Sequence, residues 1–219
     1  MSAGVPRQAG EWDVAVRTDG ASRRAQIIDV AARLFEEHGY HETTMEMLAQ
    51  EVGVKKASLY YYFASKDLIL VDIHEEMIDH LLEAADRRDA AAADPVDRLH
   101  GIITDLVALM ELFPGRLRIF FEHYRELPVE QRAAIQVKRN RYQGVLVTAL
   151  RDGSAAGVFA VADVELTALG VLGMCNWTYQ WLRPGGPLSA QQVADHFHAL
   201  VLGGIGTPTL RASGSGARD

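Results

Sequence analysis

The chain has 219 residues, 48% hydrophobic and 23% charged, which is globular usage and excludes a wholly disordered polymer. Lys plus Arg number 22 against 29 Asp plus Glu, a net charge of −7, so nucleic-acid binding through bulk charge is excluded and any such binding must come from a local patch. The one cysteine, Cys175, cannot form an internal disulfide or a cysteine-based zinc site, and the longest uncharged apolar stretch, Ala168 to Cys175, is far short of the roughly 20 residues of a membrane helix. With no apolar core of signal-peptide length between Met1 and Ser22, the expectation is a soluble, cytoplasmic protein that does not enter membranes.

Residues 1–21 mix Gly, Pro, Gln and charges without periodicity and read as a disordered tail. The first helix is expected over 22–38, where Ile27, Val30, Ala31, Leu34 and Phe35 form one apolar stripe and Gly39 closes it. Thr43-x-x-Glu46 reads as a capping box opening a helix over 44–51, followed by a short helix over 55–61 and a long one over 66–90 with Ser65 as N-cap. Asp94-Pro95 starts a helix over 95–113 that is apolar on more than one face; further helices follow over 115–124, 128–152 and 163–182. Arg183 to Pro187 (RPGGP) forces a break, and Ser189-x-x-Gln192 is a second capping box, opening 189–204. Residues 206–219 are a Gly/Ser-rich tail. Strand signals are weak, so the fold class is all-α with about nine helices: a small domain over 22–66 and a larger one over 67–205.

The stretch 43–66 has the logic of a helix-turn-helix. Ala49 suits a close helix crossing, and Gly53 suits the left-handed residue of a tight turn. Leu48, Val52, Val54 and Leu59 point to the core of the first helix. No acidic residue occurs from Val52 to Ser65, although 22–66 as a whole holds six Lys/Arg and six Asp/Glu. Positive charge is thus concentrated on the second helix of the pair, the face that would enter a major groove. Lys55 and Lys56 are candidates for base edges or phosphates and Tyr60 for a thymine methyl or a hydrogen bond, while Thr44, Ser58, Tyr61 and Lys66 are candidate phosphate contacts. The bland alternative is a structural hairpin with solvated lysines; three aromatics, the charge asymmetry and the preceding helix favour DNA.

Phe35, Gly39, Thr43, Thr44, Ala49, Gly53, Leu59, Tyr60, Tyr62, Phe63 and Lys66 together give a segment, Ala31 to Leu70, that resembles the DNA-binding region of TetR-family repressors. A histidine is common in that family where Tyr61 or Tyr62 stands. The resemblance implies a homodimer that places one helix-turn-helix on each half of a palindromic operator. It also implies a small ligand in the C-terminal domain that releases the DNA.

In the larger domain, Gln131 to Arg151 contains Arg132, Lys138, Arg139, Arg141 and Arg151 without an acidic residue. Two readings stand: Arg139 and Arg141 meet an anionic group of a ligand, or acids on neighbouring helices neutralise the series. The last two helices carry apolar stripes, Leu166, Gly170, Gly173, Trp177 and Trp181 on one and Val193, Phe197, Leu200, Val201 and Gly204 on the other. Such stripes suit a four-helix dimer interface. Asn176 to Ile205 is similar to the C-terminus of TetR-family regulators of fatty-acid, steroid and aromatic catabolism that respond to CoA thioesters. That likeness implies an acyl group lying among Leu106, Met110, Phe120, Tyr124, Met174 and Trp177, with CoA phosphates meeting arginines. Gly173 stands where the steroid subgroup commonly has an arginine, a departure that argues against a ring-derived carboxylated ligand.

An enzyme is the rival class. The eight histidines show no metal-ligand spacing, Cys175 lies in an apolar helix, and no phosphate-binding glycine loop is present, so no catalytic residue, metal or cofactor is expected. The expectation is a homodimeric repressor that leaves its operator on binding an acyl-CoA or related thioester; the alternative is a regulator of an efflux pump or another pathway, answering to an apolar drug-like ligand.

Overall fold

The computed structural model describes residues 10–91 and 94–207, which form nine α-helices and two short 3-10 turns. Among the described residues there is no strand, only an isolated bridge between Phe159 and Gly206. The chain divides into two compact units, one up to Asp72 and the other from Ile73. The division falls inside a helix, six residues beyond the expected boundary at 66, because the first turns of that helix are tied into the N-terminal unit. Arg24 pairs with Asp72 at 2.6 Å, Tyr40 donates to Asp67, and Ile69 and Leu70 are fully buried.

In the first unit α1 (Gly10–His38), α2 (Met45–Val52) and α3 (Lys56–Tyr62) lead into α4 (Lys66–Ala90). Ile27, Ala31, Leu34 and Phe35 of α1 are buried, as are Leu48 and Ala49 of α2 and Leu59 of α3. Helix α1 begins at Gly10, so residues 10–21 of the expected tail are helical. No proline stands between Pro6 and Pro95, and extending a formed helix costs far less than starting one. Residues 1–9 lie outside the described residues.

The α1–α2 junction corrects the expected cap by one residue. Thr44 is the N-cap, accepting from the Met47 N–H at 3.2 Å. Thr43 is buried, and its hydroxyl lies 3.2 Å from the Leu34 carbonyl and 2.8 Å from that of Gly39, fastening the loop to α1. Gly53, at φ 74°, ends α2 in the left-handed region that the tight turn requires.

The second unit holds the rest of α4 with α5 (Pro95–Leu112), α6 (Arg116–Glu122), α7 (Val129–Ala155), α8 (Val164–Asn176) and α9 (Ala190–Ile205). Asp94 caps α5 by accepting from the Val96 and Asp97 N–H groups, and the Ser189/Gln192 capping box on α9 is reciprocal. Helix α5 is the centre, packing on α7, α8 and α9 and burying Leu99, Ile103 and Val107 completely.

Two expected helices are shorter. The helix over 115–124 stops at Glu122 and continues as a 3-10 turn, Tyr124–Glu126. That over 163–182 stops at Asn176, where buried Thr178 donates to the Cys175 carbonyl at 2.7 Å and the chain tightens into a 3-10 turn, Trp177–Gln180. Helix α7 runs three residues past its expected end, and Gly153 there has no room for a side chain: a Cβ would lie 2.1 Å from the Phe159 ring. Beyond α9, Thr207 donates to the Val158 carbonyl at 3.1 Å and Ala160 to that of Ile205 at 2.6 Å. Gly206 and Thr207, expected to open the C-terminal tail, are therefore paired; 208–219 lie outside the described residues.

Candidate functional site

The first unit presents α3. Leu59 is buried and anchors the helix, so Ser58, Tyr60 and Tyr61 stand on its exposed side with Lys55 at its N-cap. Tyr61 is 86% exposed and Tyr60 44%, unusual values for aromatic side chains. Lys56 behaves differently from Lys55. Its ammonium donates to Glu46 of α2, which holds the Lys56 pKa above and the Glu46 pKa below their ordinary values, and it sits 5.9 Å from the Tyr60 ring centre. Among the described residues, Lys55 makes no ion pair, so it is the α3 cation left for a phosphate or a base edge. Thr44 is exposed, and its cap bond uses only an oxygen lone pair; its O–H proton remains available.

Lys66 requires a correction. Its ammonium donates to the Tyr40, His41 and Thr43 carbonyls at 2.7, 3.0 and 3.1 Å and lies 4.5 Å from the Tyr40 ring centre. Three donors meet three acceptors, so none is left over for the expected phosphate contact. Lys66 instead holds the loop that sets the start of α2.

The second unit has a cavity of about 430 Å³, open to solvent on one side, lined from α4, α5, α6, α7 and α8. Its apolar wall is Ile78, Leu81, Leu106, Phe120, Phe121, Leu169 and Leu172, with Tyr124 and Tyr142; its polar lining is Gln136, Arg139, Asn140, Gln143 and Asn176. No acidic residue lines it. Leu106, Phe120, Tyr124 and Arg139 are thus gathered as expected from the sequence. Met110, Met174 and Trp177 are not among the lining residues. Met110 is buried on α5, and Trp177, 60% exposed, leaves the phase of α8 because the helix ends one residue before it. Tyr142 also lines the cavity, while its hydroxyl is buried and, among the described residues, has no hydrogen-bond partner; burial pushes its pKa well above the ordinary tyrosine value.

Both readings of the basic α7 find their residues. Lys138 pairs with Asp79 at 2.8 Å and Glu75 at 3.4 Å, Arg141 with Asp86 at 2.8 Å, and Arg151 with Glu165 at 3.6 Å. Arg141 is therefore neutralised by α4 and does not line the cavity, contrary to its expected role. Arg139 does line it. The guanidinium carbon lies 4.9 Å from the Phe120 ring centre and 4.7 Å from that of Tyr124, and burial holds its pKa below the ordinary value.

Exposed apolar side chains occur on α8 (Leu166, Leu169), in and after the 3-10 turn that follows it (Trp177, Trp181) and on α9 (Leu200), beside the exposed glycines 170, 173, 203 and 204. Phe197 and Val201 are half-buried, and Trp181 meets Phe197 edge-on at 6.3 Å. Val193 differs: it is 4% exposed and presents almost nothing outward.

Spacing did not point to Ile78, Leu81, Leu169 or the amides Gln136, Asn140, Gln143 and Asn176. The signal available was the i, i+4, i+7 series 136, 140, 143, which puts three amides on the α7 face that carries Arg139. His100 lies 2.8 Å from Asp195 and its ring 4.6 Å from that of His198, yet no group of three potential ligands could hold a metal among the described residues. Burial pushes the Cys175 thiol up to about 12, which removes it as a nucleophile. No described helix is long and apolar enough to cross a membrane.

Comparison with known proteins supplies the family context. Residues 27–73 match the family described as "Bacterial regulatory proteins, tetR family", and residues 92–205 match "Tetracyclin repressor-like, C-terminal domain". The HTH-type transcriptional repressor KstR2 of Mycobacterium tuberculosis is 34% identical over 194 residues, 84% of this chain and 93% of that protein. The structure of the ketosteroid transcriptional regulator KstR2 from the same organism aligns with a TM-score of 0.79 at 29% identity, covering 84% of this chain and 95% of the other. PfmR of Thermus thermophilus aligns with a TM-score of 0.75 at 35% identity, covering 80% and 96%. AibR, crystallised with isovaleryl coenzyme A and operator DNA, aligns with a TM-score of 0.71 at 30% identity, covering 81% and 97%.

Proposed function

Because the chain belongs to the TetR family, and so is a DNA-binding transcriptional repressor and not an enzyme, we propose that it acts as a homodimer released from a palindromic operator by an acyl-CoA or related CoA thioester. The observation that carries this reading is the cavity of about 430 Å³: an apolar interior with amides and one arginine in its lining suits an acyl chain continued by a polar, anionic carrier. The crystallised complex of AibR with a short acyl-CoA and operator DNA supports the same class of ligand. DNA contact falls to Lys55, Ser58, Tyr60, Tyr61 and the Thr44 hydroxyl, with Lys56 shared between Glu46 and the duplex. The second subunit covers Leu166, Trp177, Trp181 and Leu200, which are about half exposed in the single chain, so that burying each contributes roughly half of the 1.5–3 kcal/mol of a fully exposed side chain.

Release follows as a population shift: the ligand favours a separation of the two DNA-binding units that no longer matches successive major grooves. The test is fluorescence anisotropy with labelled duplexes tiling the DNA upstream of the chain's own gene, titrated with isovaleryl-CoA and decanoyl-CoA, with light scattering for mass. Twice the chain mass, saturable binding to one duplex and its reversal by a thioester are expected. A monomer, or a complex that neither thioester dissociates, overturns the reading.

A further inference from the structure

Among the described residues Arg139 is the one cation in the cavity lining, and the cations around it on α7 are engaged elsewhere. Arg132 donates to the Arg125 carbonyl at 3.0 Å, Lys138 is held by Asp79 and Glu75, and Arg141 by Asp86. Among the described residues Arg139 makes no ion pair or hydrogen bond; it has only the Phe120 and Tyr124 rings. A half-buried guanidinium is costly to leave without an acceptor, and the two rings return only part of what is lost on leaving water. The rings also limit the side chain's reach, since a guanidinium placed over both is held against α6 and the turn that follows it. The N–H edges remain, in the fork that matches a carboxylate or a phosphate. The lining contains no acid that would satisfy or repel such a group.

We infer that Arg139 is the receptor for a single anionic oxygen group on the effector, bound at the guanidinium edge while the apolar body lies against Leu106 and Leu172. This deepens, and rests on, the reading of the cavity as an effector site. The anion has two possible sources, a carboxylate on the acyl portion or a phosphate of its carrier, and both present the same oxygens to the same fork. An effector of this kind is amphipathic, with its charge at the Arg139 side and none in the apolar interior.

The probes are decanoate (carboxylate only), decanoyl-CoA (phosphates only), 1-decanol (neutral) and the apolar sulfonate 1-anilinonaphthalene-8-sulfonate, each titrated calorimetrically or by fluorescence. The proteins are the full-length wild type, Arg139→Met and Arg141→Gln. Arg139→Met is expected to weaken the anionic probes that use the site by roughly 10- to 100-fold, the range for a hydrogen-bonded charge, and to leave 1-decanol unchanged or tighter. Arg141→Gln leaves every probe unchanged. Weakened decanoate alone assigns the carboxylate, and weakened decanoyl-CoA assigns the phosphate; either result supports the site. If Arg139→Met weakens 1-decanol equally, or changes no anionic probe, the inference is overturned. It is overturned equally if no probe, the sulfonate included, binds the wild type. Failure of decanoyl-CoA alone, with decanoate or the sulfonate bound through Arg139, removes the thioester reading and leaves the anion site standing. Should circular dichroism show the Met variant poorly folded, Arg139→Gln carries the same expectations.

Discussion

Replacing Lys66 with Met separates a scaffold role from a DNA contact. The substitution keeps an unbranched side chain of similar length and removes the ammonium from the Tyr40 ring and from the Tyr40, His41 and Thr43 carbonyls, 2.7, 3.0 and 3.1 Å away. A hydrogen bond to a charged group contributes about 1.5–3 kcal/mol. Lys66 is only half-buried and His41 is exposed, so water replaces part of what is lost. The expected cost to the N-terminal unit is therefore about 2–3 kcal/mol, well under the sum for three full bonds. The assay is native-state hydrogen exchange on the amides of α2, which open with this unit and should exchange roughly 30- to 150-fold faster in the variant. Operator affinity should change little, because a head that still folds is the species that binds, and its salt dependence should keep the wild-type slope. Unchanged exchange together with a salt slope reduced by about one charge would refute the scaffold role and restore Lys66 to the phosphate contacts.

Three further outcomes follow from the same geometry. Lys55→Ala should weaken operator binding at every sequence and reduce the log–log salt slope by about 1, whereas Lys56→Ala, already shared with Glu46, should do less of both, as anisotropy at several salt concentrations will show. Gly53→Ala should destabilise the N-terminal unit by about 1–2 kcal/mol through its φ of 74° alone, since no atom lies within 4 Å of the added methyl; thermal unfolding of the variant measures this. At α5, the Asp97 and then the Val96 N–H bonds hold the Asp94 carboxyl below the ordinary aspartate value. A folded-state pKa lower than the unfolded one means that the cap's contribution, about 0.5–1 kcal/mol, is present at neutral pH and fades as pH falls through the acid range below about 4. Exchange of the first α5 amides should show that loss in the wild type and no pH dependence from this position in Asp94→Asn.

Local signals made most of the helices legible. The caps at Asp94 and Ser189, the left-handed Gly53 and the periodic stripe of α1 act over a few residues and carry their physics with them. The helix that became α8 was harder, since the hydroxyl of Thr178 ends it at Asn176 and throws Trp177 out of the expected cavity phase. The start of α1 is not legible because residues 10–21 lack an apolar stripe, the local signal that marks the rest of the helix. At the sites, residue type was readable and pairing was not. The surplus of positive charge on α7 was plain in the sequence, but which cation stays unspent depends on Glu75, Asp79 and Asp86, more than 50 residues away along the chain. Likewise Lys66 reads as a surface lysine until three loop carbonyls are seen to converge on it.

The central claim is that one chain couples DNA held at α3 to a ligand held in the cavity of the C-terminal unit. Hydrogen exchange on the wild-type protein, alone, with its operator, and with operator plus saturating decanoyl-CoA, measures both ends at once. Operator is expected to slow exchange across residues 44–62, and the thioester to slow residues 136–143 and 169–176 while returning 44–62 to the rates of the free protein. Operator protection that falls elsewhere, or that persists while the cavity segments are protected by ligand, would contradict it.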